Sequence, residues 1–91
     1  MPYYVYILLC RDGTLYTGYT RDLDRRVSLH MNAKGARYTR AHKAKKLMHH
    51  EEFATRSEAM KREKAIKKMG HTAKMKLARN ARNRERLHRI K

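Results

Sequence analysis

Two strand-like runs joined by a short polar turn open the chain, and they constrain its fold more than any other feature. Residues 3–10 read YYVYILLC and residues 15–20 read LYTGYT, with the turn RDGT between them. Aromatic and β-branched runs are typical of strands, and Asp-Gly between two such runs is typical of a β-hairpin. The sequence therefore predicts a hairpin at the start of the chain, with a loop of either two or three residues.

The length of this loop decides which tyrosines share a face. A two-residue loop sends Tyr6 and Tyr16 to opposite faces of the hairpin. A three-residue loop with Gly13 left-handed pairs Tyr6 with Gly18, and it places Tyr4, Tyr6 and Tyr16 on one face because side chains alternate. In that register the glycine leaves space directly beside Tyr6. Each tyrosine could also be an ordinary core residue.

Helical spacing follows the hairpin, in the run TRDLDRRVSLHM. Leu23, Val27 and Met31 recur four apart and predict the apolar stripe of a helix that Thr20 or Asp22 would cap. The polar residues Arg26 and His30 are also four apart, so they share one edge beside that stripe.

A second helix is predicted for the run TRSEAMKREKAIKKMG. Thr55 and Glu58 have capping-box spacing, and Gly70 is a natural stop. Its inward stripe is apolar except at Glu63. Before it, KLMHHEEF predicts a third strand, and residues 71–91 predict a docked helix that continues as a basic tail.

The charge of the chain indicates its partner. Lys and Arg number 24 against 8 acidic residues, which gives a net charge of +16. Such a surface repels itself unless a polyanion is near, and nucleic acid is the commonest one. A solvated basic surface and an anionic membrane surface are the alternatives. With one cysteine and no apolar run of about 20 residues, we expect a soluble cytoplasmic domain without disulfides or a membrane partner.

A basic segment between the first helix and the third strand, NAKGARYTRAHKAKK, suits nucleic-acid binding. It is predicted to be a loop or a short turn of helix, and it interleaves Tyr38 with Lys34, Arg37 and Arg40. Cations can contact the backbone while an aromatic ring stacks on a base.

Among the eight carboxylates, Glu63 has no local structural role. The other seven are expected in the turn, at helix starts, at the exposed end of a strand or among arginines: Asp12, Asp22, Asp24, Glu58, Glu51, Glu52 and Glu85. A carboxylate on an apolar face costs several kcal/mol unless it is paired or binds a metal. Glu63 is therefore either the partner of a cation such as Arg26 or the ligand of a single-carboxylate Mg²⁺ site.

Five elements in chain order carry a resemblance to a known family: Tyr4-Val5-Tyr6, Tyr16-Thr17-Gly18, Arg26, His30 and Glu63. The pattern covers residues 3–69 and resembles the GIY-YIG nuclease superfamily. The run HMNAKGARYT is similar to its small stand-alone bacterial members. Tyr4 departs from the motif glycine, Thr17 from the usual isoleucine or valine, and Tyr19 from a basic residue that some members carry.

This resemblance implies an α+β fold, with a small three-stranded antiparallel β-sheet flanked by helices. It implies a nuclease-like domain over residues 1–70, with 71–91 as a basic C-terminal helix or tail of the same single domain. The catalytic residues implied are Tyr6, Tyr16, Arg26, His30 and Glu63, with Glu63 as ligand of Mg²⁺ (or Mn²⁺). The nucleic-acid-binding residues expected are Gly18, Tyr19, Lys34, Arg37, Tyr38 and Arg40.

The activity implied is metal-dependent, endonuclease-like hydrolysis of phosphodiester bonds. Tyr6 would take a proton from water, its pKa lowered by Arg26 and the metal, with Tyr16 or His30 as a relay. The space at Gly18 would admit the phosphate and its water. DNA is favoured over RNA, a protein partner could supply specificity, and a monomer and a weak dimer are both open. The alternative is a non-catalytic basic DNA- or RNA-binding module on the same fold.

Overall fold

The computed structural model describes residues 2–79, and within them it shows the three-stranded antiparallel sheet and flanking helices that the sequence predicted. The sheet order is β2-β1-β3, so the apolar first strand is central. The elements are β1 (Tyr3–Cys10), β2 (Leu15–Thr20), α1 (Leu23–Met31), α2 (Arg37–His42), β3 (Ala44–Phe53) and α3 (Arg56–Lys67). Residues 71–79 are also helical and are called α4.

The hairpin between β1 and β2 has the three-residue loop, so the two-residue alternative is wrong. Tyr6 pairs with Gly18. The Cys10 amide donates to the Thr14 carbonyl over 2.9 Å, which closes the loop. Gly13 has a φ of 85°, the left-handed conformation that glycine adopts without a steric penalty. This register sends Tyr6 and the side chains that alternate with it to one face of the sheet.

β1 is buried on both faces because an apolar cluster covers each of them. The cluster on the α3 side contains Val5, Ile7, Ala59 and Ile66. The cluster on the α1 side contains Tyr6, Leu8 and Ala44, with Leu23 and Val27 packed against it. The central strand therefore reads as a nearly continuous apolar run rather than an alternating one.

The prediction that Met31 belongs to the buried stripe of α1 is wrong. Met31 is 37% exposed, and His30 beside it is 1% exposed. His30 lies three residues after Val27 and can share its inward face, and both of its ring nitrogens find hydrogen-bond partners there. At the other end, Asp22 caps the helix by accepting from the Arg25 amide over 3.2 Å.

The remaining elements differ from the sequence prediction mainly at their ends. The basic segment contains a short helix, α2, and β3 begins two residues before the predicted KLMHHEEF. Thr55 caps α3 by accepting from the Glu58 amide over 3.2 Å, as predicted. The helix ends at Lys67, before the predicted stop at Gly70.

α4 docks on the α3 side of the sheet. Ala78 is 2% exposed, Leu77 packs against the cluster on that face, and the His71 ring lies 2.9 Å from the Gly13 carbonyl. The rest of the predicted basic helix or tail, residues 80–91, lies outside the described residues. Within residues 2–79, the helices are too short or too polar to cross a membrane.

Candidate active site

Three rings meet on the α1 face of the sheet, and we call them the ring cluster: Tyr6, Tyr16 and His30. The Tyr16 and His30 centroids are 5.1 Å apart, those of Tyr6 and His30 are 5.7 Å apart, and those of the two tyrosines are 6.4 Å apart. The hairpin register brings the tyrosines to one face, and the inward side of α1 brings the histidine to them. Tyr6 and His30, which are 24 positions apart in sequence, are therefore in direct contact in the interior.

A hydrogen-bonded chain runs from the ring cluster into the protein. The Tyr6 hydroxyl lies 2.9 Å from His30 Nε2, and His30 Nδ1 lies 2.7 Å from the Thr39 hydroxyl. The Thr39 hydroxyl donates its one proton to the Ala36 carbonyl over 3.1 Å. His30 Nδ1 must therefore carry the ring proton, which leaves Nε2 to accept from Tyr6.

The surroundings of Tyr6 hold its hydroxyl protonated. Its pKa is raised well above the ordinary value, first by burial and then by Tyr16, while the Arg26 charge lowers it and the Glu63 carboxylate raises it. The expectation of a lowered pKa is therefore wrong for the chain's own groups. The positive charge of Arg26 lowers the pKa of Tyr6, as expected, but the removal of the hydroxyl from water raises that pKa by more.

His30 is held neutral by the same burial. Its pKa is lowered, first by desolvation and then by the positive charge of Arg26. A neutral ring with Nδ1 protonated is the form that the hydrogen-bonded chain requires. Nε2 is thus the basic atom at the end of a direct link from the Tyr6 hydroxyl.

The lowered pKa of His30 predicts a loss of stability in mild acid. The unfolded chain takes up a proton near pH ~6.5 and the folded chain only below that value. The contribution of His30 to stability is therefore complete above about pH 6.5 and is lost as the pH falls below it. Melting temperatures measured between about pH 8 and pH 5 should fall more for the wild type than for His30→Gln. Equal slopes for the two proteins would show that His30 titrates as it does in the unfolded chain.

Two members of the ring cluster, Tyr6 and His30, each pack directly against a glycine. A Cβ on Gly18 would lie 2.6 Å from the Tyr6 hydroxyl oxygen, and a Cβ on Gly35 would lie 2.7 Å from Cγ and Cε1 of His30. The space beside Gly18, expected to admit a phosphate, is therefore filled by the Tyr6 phenol itself. The glycine makes room for the tyrosine because the ring crosses the neighbouring strand at that point.

Arg26 and Glu63 act on the ring cluster through charge. Arg26 is exposed on α1, one turn before His30, and Glu63 is on α3. Both affect the pKa of Tyr6, although within residues 2–79 neither forms a hydrogen bond to a member of the cluster. One positive and one negative charge, on two different helices, thus have opposite effects on the Tyr6 hydroxyl.

The Glu63 carboxylate is partly buried and lies in a long ion pair within α3. Its side chain is 16% exposed, and it lies 3.6 Å from Lys67, which is beyond a hydrogen bond. Among the described residues its cation partner is Lys67 and not Arg26, so a paired carboxylate and a metal ligand both stay as alternatives. These residues also hold no cluster of three metal-ligating side chains. A single carboxylate fits Mg²⁺, which keeps several waters and takes further ligands from phosphate.

One other carboxylate lies where the sequence did not place it. Glu51 was expected at an exposed strand end, but it pairs opposite Val5 and therefore faces α3. There it accepts from Arg62 Nε over 2.8 Å and lies 2.7 Å from the His49 ring. These partners lower the pKa of Glu51 against the effect of burial. Its charge is neutralised by two close partners, whereas the one ion pair of Glu63 within residues 2–79 is the longer one with Lys67.

The chain is similar to a known family of catalytic domains and to several bacterial and archaeal proteins. The family model of the GIY-YIG catalytic domain matches residues 2–78. The chain belongs to the GIY-YIG family. It is 45% identical to a UPF0213 protein of Staphylococcus saprophyticus, over 82% of this chain and 92% of that one. It is 47% identical to one of Natronomonas pharaonis, over 82% and 88%.

Two solved structures are similar to this fold. The solution structure of a UPF0213 protein of Bacillus halodurans is 44% identical, with a TM-score of 0.54, and the match covers 85% of this chain and 82% of that one. The solution structure of a protein of E. faecalis is 40% identical, with a TM-score of 0.61, over 90% and 88%. The GIY-YIG family supports nuclease-like function in general terms.

The basic segment predicted to bind nucleic acid lies next to the ring cluster. Lys34, Arg37 and Arg40 are exposed. Tyr38 stacks on Tyr16, with centroids 5.8 Å apart, and on His42, with centroids 4.1 Å apart. A base could stack here only by extending or opening this column of rings.

Tyr19 lies apart from the other predicted nucleic-acid-binding residues. It pairs opposite Val5 and packs against the cluster on the α3 side. Its hydroxyl accepts from Arg56 Nε over 3.4 Å. Tyr19 is thus on the opposite face of the sheet from Tyr6 and Tyr16.

Three residues that shape the site were not predicted from the sequence. Thr39 holds the tautomer of His30, Gly35 packs on its ring, and His42 pairs with Asp12 of the hairpin turn. All three lie in the basic segment, where charge was the dominant signal. The contact of Gly35 could not be predicted, because a contact with a ring on another element leaves no local pattern in the sequence.

Proposed function

We propose that the protein is a metal-dependent nuclease that hydrolyses phosphodiester bonds in DNA. The observation that carries this proposal is the link from the Tyr6 hydroxyl to a neutral His30, at 2.9 Å, with the charges of Arg26 and Glu63 acting on the same hydroxyl. A module that only binds nucleic acid gains nothing from a carboxylate beside its phosphate site. DNA as substrate, a monomer or weak dimer, a partner that supplies specificity and a cytoplasmic location belong to the same proposal.

Arg26 is proposed to bind the phosphate under attack. Its guanidinium is exposed and forms no ion pair within residues 2–79, so its charge is available to an anion. Charge develops on the phosphate oxygens as water attacks, and a fixed cation stabilises that state more than the ground state. Mg²⁺ bound at Glu63 would supply Lewis-acid neutralisation of the same phosphate.

Tyr6 is proposed as the base, with His30 as the destination of its proton. A hydroxyl with a raised pKa cannot remain ionised at neutral pH, so its own proton must leave as it accepts another. His30 Nε2 is placed to receive that proton, and Thr39 holds the opposite ring nitrogen. Tyr16 is the more exposed tyrosine of the cluster, and it is assigned to contact the substrate.

Replacing Tyr6 with phenylalanine tests this route. The ring stays in place but cannot exchange a proton with His30, so the nicking rate in Mg²⁺ should fall by about 10²–10⁴-fold. DNA binding in EDTA should not change. Plasmid nicking with Mg²⁺ and with EDTA, together with a thermal melt, measures these effects.

The matched control is Tyr4→Phe, which removes a hydroxyl from the same strand and the same face outside the ring cluster. It should nick at the rate of the wild type. A folded Tyr6→Phe protein that nicks as fast as Tyr4→Phe would overturn the assignment of the base.

A further inference from the structure

A basic hollow lies at the end of the sheet where β1 begins and β2 ends. Its volume is about 700 Å³. Four arginines and two aromatic side chains are prominent in its lining: Arg21, Arg25, Arg26, Arg56, Tyr3 and Tyr19. Arg26 belongs both to this hollow and to the candidate active site. The other three arginines have no part in the proposed chemistry.

The positive charge of the hollow is not neutralised within the part of the chain that the structure describes. Within residues 2–79, none of its four arginines forms an ion pair with a carboxylate. The acidic residue in its lining is Asp22. Its carboxylate accepts a hydrogen bond from the Arg25 amide and so caps α1. Grouped like charges repel each other, so this arrangement favours an anionic ligand.

Two tyrosines position arginines of the hollow without removing their charge. The Arg21 guanidinium carbon lies 5.3 Å from the centre of the Tyr3 ring, within the range of a cation–π contact. Arg56 donates its Nε to the Tyr19 hydroxyl. The outer N–H groups of a guanidinium can still bind a phosphate in a fixed, bidentate geometry.

The basic surface continues beyond the hollow. Arg56 also lines a second groove, of about 490 Å³, on the outer face of α3 together with Lys61 and Lys64. The cationic surface thus runs from Arg26, across the hollow, and along the outer face of α3 as far as Lys64.

We propose that the hollow binds the DNA backbone on one side of the phosphate that is cleaved. The basic segment with Lys34, Arg37 and Arg40 lies at the other end of the hairpin, where His42 meets Asp12 of the turn. The ring cluster is between these two surfaces. A strand of six residues spans about 20 Å, which corresponds to roughly six nucleotides at 3.4 Å each.

This inference rests on the proposed function, since it assigns the path of the same substrate. In this arrangement Tyr19 contributes to DNA binding by positioning Arg56, and it does not stack on a base. It also predicts that the affinity for DNA depends on residues far from the ring cluster on the α3 side of the sheet.

The double variant Arg21→Gln/Arg56→Gln tests the hollow. Its affinity for a short DNA duplex is measured in EDTA over a series of salt concentrations, so that catalysis does not enter. The slope of log K against log salt should become shallower by about 0.9 for each phosphate that is no longer bound, which is roughly 2 for the two arginines. Both arginines are exposed, and a thermal melt checks that the variant is folded.

The matched control is Lys68→Gln/Lys76→Gln, which removes the same charge from exposed positions. Lys68 is a helix length from Arg56, about 18 Å along α3. The control should keep the slope of the wild type. An equal change of slope in both variants would overturn the hollow as a specific binding surface.

The result also separates the hollow from the chemistry. If the wild type shows a steep slope and the hollow variant keeps it, the hollow fails while the proposed nuclease stands. If the wild type does not nick DNA with Mg²⁺ but the slope of the hollow variant is shallower, the nuclease fails while the DNA-binding surface stands. A wild type without salt-dependent binding would overturn both.

Discussion

Replacing Glu63 with glutamine is expected to reduce Mg²⁺-dependent cleavage by orders of magnitude with little change in stability. Glutamine keeps the shape of the side chain but removes the charge that would hold the metal. Breaking a buried ion pair would cost on the order of 3–5 kcal/mol. Glu63 instead faces Lys67 at 3.6 Å, and that lysine is 54% exposed. Exposed pairs contribute little, so the melting temperature should hardly move.

Lys67→Gln is the matched control for this variant. It breaks the same loose pair from the other side and leaves the carboxylate in place, so it should cleave as the wild type does. DNA binding of Glu63→Gln in EDTA should hold or become tighter, because a negative charge near the phosphate has gone. Nicking rates, binding curves and melts on the three proteins measure all of these effects.

These measurements also decide between a nuclease and a basic binding module on the same fold. A binding module would bind DNA in all three proteins and show no cleavage in the wild type. A Glu63→Gln protein that cleaves as well as the wild type would remove Glu63 from the chemistry. A large fall in its melting temperature, independent of Mg²⁺, would make Glu63 a structural residue.

The sequence predicted those parts of the fold that local patterns determine. The strand at Tyr3–Cys10 has the predicted bounds, and the cap at Thr55 is as expected, because neighbouring residues decide both. The hairpin register could be narrowed only to two alternatives. Both loops suit Asp-Gly, and the left-handed Gly13 that distinguishes them is a property of the folded turn.

The candidate site was predicted less completely, since its contacts join distant elements. Met31 was favoured for the core over His30 because apolar spacing cannot show that a histidine will find Tyr6 and Thr39 as partners. The pKa of Tyr6 was expected to fall because the arginine was visible in the sequence and the burial of the hydroxyl was not. Glu51 was misplaced because its partner Arg62 is on another element.

The contacts of the ring cluster with the backbone predict a second large effect, at Gly35. An alanine there would place its Cβ 2.7 Å from Cγ and Cε1 of His30, and closer still to Nδ1. The ring is 1% exposed and fixed at both nitrogens, so it cannot turn aside. Either the histidine or the segment before α2 must shift, at a cost of about 1–3 kcal/mol for an overpacked core.

Gly35→Ala should therefore lower the melting temperature and slow cleavage together, because the shift separates His30 from Tyr6 or from Thr39. The control is Gly70→Ala, where nothing lies within 4 Å of an added Cβ; it should stay within about 0.5 kcal/mol of the wild type. Urea unfolding and nicking rates on both variants give the comparison. A Gly35→Ala protein as stable and as active as Gly70→Ala would show that His30 need not keep its position. The Tyr6–His30 link could then not be the proton route, since a displaced ring would no longer lie within hydrogen-bond distance of the Tyr6 hydroxyl.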